Sequence, residues 1–126
     1  MSYSATIDVP DLEAGAAFYA ALGWAERARP LPVMAVLEQG GQSLLLMQKP
    51  AGSQPTPDPA IRRDYARHWT PVHLDFHVAD YEAALAALLA AGATCEQRHD
   101  DVPGRPRVAF LSDPFGNGFC LIEERP

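Results

Sequence analysis

Nowhere in its 126 residues does this chain approach the roughly 20 consecutive apolar residues that a membrane-crossing helix needs, so no membrane role is expected. The N-terminus, Met-Ser-Tyr-Ser-Ala-Thr, has neither a basic leader nor an apolar core, which leaves secretion unsupported. Cysteine is scarce: Cys95 and Cys120 lie too far apart for a CxxC pair, and two cysteines make no disulfide framework. Reduced thiols in a cytoplasmic protein are the expectation. Basic residues are outnumbered, 10 Lys and Arg against 16 Asp and Glu, for a net charge of −6. Nucleic-acid binding depends on neutralising phosphates with Lys and Arg, so no such partner is expected. A cationic or neutral small molecule suits this charge better. Also absent are a Gly-x-Ser-x-Gly elbow, a P-loop and a dinucleotide fingerprint.

What is present is an ordinary globular composition, 48% apolar and 21% charged, in a length suited to one domain. The chain also repeats itself. Asp11-Leu-Glu-Ala opens an Ala-rich run ending at Gly23, and Asp80-Tyr-Glu-Ala opens another ending at Gly92, 69 positions on at both ends. Upstream, residues 4–9 match residues 73–78 at the same offset. Each copy closes on a Gly-rich turn, an apolar strand and a basic-Pro pair, Lys49-Pro50 and Arg125-Pro126, now 76 positions apart. The second copy therefore holds seven extra residues, expected in the loop around Pro103, Gly104 and Pro106. Duplication implies two half-domains: residues 1–50 and 71–126, joined by a Pro-rich linker over 51–70.

Within the first copy, residues 4–9 alternate between Ser4, Thr6, Asp8 and Ala5, Ile7, Val9, the period of a half-buried strand. Asp11 is a good N-cap, Leu12, Phe18, Tyr19 and Leu22 form an apolar stripe, and Gly23 stops the helix. Strands follow at 24–27, 34–37 and 43–48, the last two joined by a Gly40-Gly41 hairpin. The second copy predicts a strand over 72–78, a helix over 81–91, and strands over 94–97, 107–111 and 118–123. Phe18, Tyr19 and Trp24 are expected in the core. Residues 61–69, rich in Arg62, Arg63, Arg67 and His68, read as a basic connector, with a lid as the other reading.

Asp11-Leu-Glu-Ala-Gly-Ala-Ala-Phe-Tyr-Ala-Ala-Leu-Gly-Trp24, His73-Leu-Asp-Phe-His-Val-Ala-Asp80 and Asp113-Pro-Phe-Gly-Asn-Gly-Phe-Cys-Leu-Ile-Glu123 together resemble the vicinal oxygen chelate superfamily of glyoxalases, bleomycin-resistance proteins and extradiol dioxygenases. The resemblance implies an α+β fold of two βαβββ modules forming a cupped mixed β-sheet, with a ligand cleft between them, and a homodimer. Metal-dependent relatives place four ligands on the leading and closing strands, and by motif these fall on Ser4, Leu44, His73 and Cys120. Leu44 cannot coordinate and Ser4 is a poor ligand, so no metal site and no cofactor are expected; a divalent metal is the alternative.

What remains is a polar face. His73, Asp75 and His77 alternate onto one side of their strand, and Ser4, Thr6 and Asp8 do the same in the first copy. With Leu44 and Cys120 they make the expected ligand-binding set. Histidine is suited to proton transfer near neutral pH, which makes His73 the candidate catalytic base. The function expected is that of a small-molecule-binding protein of the glyoxalase and bleomycin-resistance type, with no obligatory metal. The alternative is a lyase, isomerase or dioxygenase using His73 as base or as a surviving metal ligand.

Overall fold

A computed structural model describes Met1–Arg125, leaving Pro126 of the closing Arg125-Pro126 pair outside the described residues. The chain divides into a unit of Met1–Tyr65 and a second unit beginning at Ala66. The first contains β1 (Ala5–Val9), α1 (Leu12–Ala20), β2 (Ala25–Leu31), β3 (Met34–Gln39) and β4 (Gln42–Gln48). The second repeats this as β5 (Asp75–Val78), α2 (Tyr81–Ala90), β6 (Thr94–His99), β7 (Val108–Ser112) and β8 (Gly118–Glu123). Strand order is β1-β4-β3-β2 in one sheet and β5-β8-β7-β6 in the other. In each, the leading strand runs parallel to the closing strand and the other pairings are antiparallel. The architecture is α+β, two βαβββ units with a four-stranded mixed sheet apiece.

Both helices start on an Asp side chain. The Ala14 amide donates to Asp11 Oδ1 at 2.8 Å, and the Ala83 amide to Asp80 Oδ1 at 3.0 Å. Helices of nine and ten residues are marginal alone, so their stability comes from the face they bury. In the first unit that face is set by Gly15: a Cβ there would meet Val9 Cγ1 at 3.1 Å and Leu46 Cδ1 at 3.2 Å. Leu12, Phe18 and Tyr19 pack around this approach, with Leu37, Leu44 and Leu46 buried on the sheet below. In the second unit Tyr81, Leu85 and Leu88 cover Ala109, Leu111, Phe119 and Leu121. Trimming a fully buried leucine such as Leu46 or Leu121 to alanine costs about 2–5 kcal/mol.

Where the elements depart from expectation, the local chemistry explains it. β2 extends to Leu31, beyond the expected 24–27, yet every residue in it is exposed. Arg27 pairs with Glu38 at 2.9 Å, and Arg29 with Glu13 and Glu26. A charged edge strand with no buried side carries no apolar period to read. The second copy's excess is shared: the β6–β7 connection spans 100–107, and the β7–β8 turn spans 113–117 against two residues, Gly40 and Gly41, in the first copy. Those two glycines have φ of 57° and 78°, as a tight two-residue hairpin requires. Asp113 organises the longer turn, its Oδ1 accepting from the Phe115 and Asn117 amides and its Oδ2 from Asn117 Nδ2, all at 2.9 Å.

The linker is irregular throughout, and residues 61–69 form no helix. Its first part belongs to the first unit. Gly52 N donates to Arg63 O at 2.7 Å and Arg63 N to Ser53 O at 2.8 Å, which closes a loop between them. Tyr65 Oη donates to Lys49 O at 2.7 Å, and Arg63 Nε to Asp8 Oδ2 at 2.8 Å. Its last part belongs to the second unit: His68 N donates to Gly116 O at 2.9 Å.

Candidate functional site

Register decides which residues share a face. In the second sheet Asp75 pairs with Cys120 and His77 with Ile122, while Cys120 pairs in turn with Phe110 and Ile122 with Val108. Residues paired this way project to the same side, so these six lie on the face turned away from α2. His73 precedes β5, which starts at Asp75 and not at residue 72. Freed from strand geometry, its imidazole comes back on its neighbour: Nε2 lies 3.2 Å from Asp75 Oδ1. A regular strand would hold the two nearly 7 Å apart.

His73, Asp75 and Cys120 each offer a donor atom within 4.8 Å of the other two. Asp75 is their hub. Burial pushes the Cys120 thiol up to about 11, helped by the negative charge of Asp75 and by the hydrogen bond the thiol gives that carboxylate. At neutral pH the thiol therefore stays protonated and acts as a hydrogen-bond donor. Asp75 also receives Nε2 of His73, and the imidazole's Nδ1 is the nitrogen left to accept a proton. Chemically the arrangement can hydrogen-bond a ligand, take a proton from it, or bind a cation through N, O and S.

Aromatic rings border this cluster. Trp69 lies over His73 with centroids 4.6 Å apart and beside Phe110 at 5.9 Å; Phe110 meets His99 edge-on at 5.6 Å. His77 is exposed one strand step further along. No periodic pattern pointed to Trp69, which lies in the irregular segment. Phe110 and His99 could have been found by carrying the alternation across β7 and β6.

The first copy is different. Thr6 pairs with Leu45 and Asp8 with Met47, so Leu45 and Met47 share their face. Leu44 pairs with Ala5 and is 2% exposed beneath α1. Its expected place beside Thr6 and Asp8 is therefore corrected: an unbroken Leu44-Leu45-Leu46-Met47 run gives no alternation from which to choose a face. Ser4 is exposed and precedes β1. Asp8 is held by Arg63 and so is not a free polar group. Glu123 is likewise engaged, accepting from Arg107 at 2.9 and 3.1 Å. Phe18, Tyr19 and Trp24 are all buried, as core residues should be.

Residues 4–122 match the family model of the glyoxalase-like domain. A search of curated proteins gives no match. Among solved structures, the chain resembles a glyoxalase-related enzyme from Fulvimarina pelagi, at 22% identity and TM-score 0.71, covering 98% of this chain and 89% of that one. A glyoxalase/bleomycin resistance protein from Albidiferax ferrireducens gives 20% identity and TM-score 0.68, covering 99% of both chains. A mutant of a genomically encoded fosfomycin resistance protein from Listeria monocytogenes, complexed with Mn(II) and a dihydroxypropylphosphonic acid, gives 17% and 0.74, covering 97% and 88%. At these identities the likeness is one of fold. With the family model spanning nearly all of it, the chain belongs to the glyoxalase-like domain family of the vicinal oxygen chelate superfamily.

Proposed function

We propose that this protein binds a small organic molecule on the face of its second sheet turned away from α2, at the cluster of His73, Asp75 and Cys120. One observation carries the reading: three hydrogen-bonding groups within 4.8 Å of one another, bordered by the rings of Trp69 and Phe110. Convergent polar groups in an apolar surround are what a small-molecule site requires. Burial and the Asp75 carboxylate raise the Cys120 thiol, which favours a hydrogen-bonding role for it over a nucleophilic one. The test is calorimetry of the full chain against a broad panel of small organic compounds. A ligand is expected whose affinity drops about tenfold or more in His73→Ala, the cost of one good polar contact. A panel without a single His73-dependent binder would sink the reading.

The 3.2 Å contact between His73 and Asp75 favours a second reading, an enzyme with His73 as general base. A carboxylate on Nε2 orients the ring and leaves Nδ1 to take the proton. Steady turnover of a bound compound, abolished in His73→Ala with the fold intact, would establish it over simple binding.

The fosfomycin resistance protein of similar fold is complexed with Mn(II), so the donor set has to be weighed. The positions expected by motif in the first copy do not suit an ion: Leu44 has no donor and lies in the core. The second copy alone supplies one N, one O and one S donor, a combination suited to a zinc-like ion. His73, Asp75 and Cys120 would hold it, and it would supply Lewis-acid polarisation of a bound oxygen.

A further inference from the structure

Gly118 stands on β8 with no positive φ, so its backbone does not require glycine. Space does. A Cβ at 118 would lie 2.2 Å from Trp69 Cε3 and 2.7 Å from Cζ3. The indole therefore sits directly on the strand, and its neighbours fasten it there. Arg67 donates through Nε and Nη2 to both oxygens of Glu96, at 2.6 and 2.5 Å, and His68 bridges Asn117. For all this, Trp69 remains 45% exposed. A large ring held in place by its neighbours and still partly exposed is a prepared stacking surface.

A negative charge lies one residue away from that surface, since His73 meets both the indole and Asp75. Asp75 is 43% exposed although it meets His73 and Cys120, so its carboxylate keeps capacity towards solvent. The nearest guanidinium, Arg67 at 5.9 Å from the indole centroid, has its charge matched by Glu96. The face of an indole attracts cations, and the chain's net charge of −6 acts in the same direction.

We propose that Trp69 and Asp75 together select a planar aromatic cation, the indole stacking the ring and the carboxylate supplying the counter-charge. This deepens the reading of the His73 face as a ligand site and rests on it. Three ring systems of similar size and different charge test it by calorimetry at pH 8: N-methylquinolinium, neutral quinoline and anionic 1-naphthoate. N-methylquinolinium is expected to bind at least about tenfold more tightly than the others, the reach of a charge-assisted contact plus cation–π attraction. Trp69→Ala and Asp75→Asn should each weaken it about tenfold, while Trp69→Phe, which keeps a ring, restores most of the loss.

Equal or tighter binding of quinoline or 1-naphthoate overturns the charge selection but leaves the ligand site standing. Binding of N-methylquinolinium that neither Trp69→Ala nor Asp75→Asn weakens overturns the assignment of these residues. If none of the three binds, the inference fails, and the broad panel with His73→Ala still judges the underlying site.

Discussion

Gly118→Ala is a one-carbon perturbation with a calculable effect. The added methyl would lie 2.2 Å from Trp69 Cε3, 2.7 Å from Cζ3 and 3.0 Å from Arg67 Nη2. Carbon atoms rest about 3.5–4.0 Å apart, so the ring must retreat by about 1.3 Å or more. β8 cannot yield, because it is hydrogen-bonded to β5 on one side and β7 on the other. Trp69, at the end of an irregular segment, moves instead and loses its stacking on His73 and Phe110. Each such ring pair contributes about 0.5–1.5 kcal/mol beyond area burial. Alanine in place of glycine returns about 0.5–1 kcal/mol of backbone entropy. The net expectation is a loss centred at about 1 kcal/mol and reaching at most about 2.5 kcal/mol, a fall in Tm of several degrees for a domain of this size. Chemical denaturation of the wild type, Gly118→Ala, Trp69→Ala and the double variant measures it as a cycle. In the Trp69→Ala background the same alanine should cost nothing or stabilise. Should Gly118→Ala cost as much without the indole as with it, the seat of Trp69 is not what glycine provides.

Alkali should weaken the fold in a defined window. Cys120 is raised from 9.0 to about 11 and Tyr81 from 10.0 to about 12, each first by burial. The native state therefore keeps protons that the unfolded chain has released, and stability falls as pH rises from about 9 to 12. Urea midpoints from pH 8 to 11 should decline, and Cys120→Ser should flatten the early part of that decline; an unchanged curve in the variant would count against the raised thiol. Cobalt(II) titration separates the metal alternative from the metal-free reading: a thiolate charge-transfer band that disappears in Cys120→Ser would establish the alternative, and the metal-free reading expects no such band.

The duplication and both helices were legible because their punctuation is chemical: an Asp that caps and a Gly that ends each run. Asp75, His77 and Cys120 could be gathered because β5 alternates cleanly and β8 follows it in register. Leu44 was misplaced because four consecutive apolar residues look the same from either side. A pairing of His73 with Asp75 stays open on sequence alone, since it depends on His73 lying outside the strand whose spacing was assumed. Trp69 was invisible for a related reason. It belongs to no repeating pattern, and only the clash at Gly118 discloses its seat.

Arg63 has an implication for how the two copies have diverged. By anchoring Asp8 and closing the loop back to Gly52, it commits the outward side of the first sheet to tethering the inter-repeat segment. At the matching strand of the later copy, among the described residues, Asp75 meets His73 and Cys120 and no arginine. The two repeats thus differ in what their leading strands hold: the first ties down the connecting segment, and the second carries an acid in contact with an imidazole and a thiol.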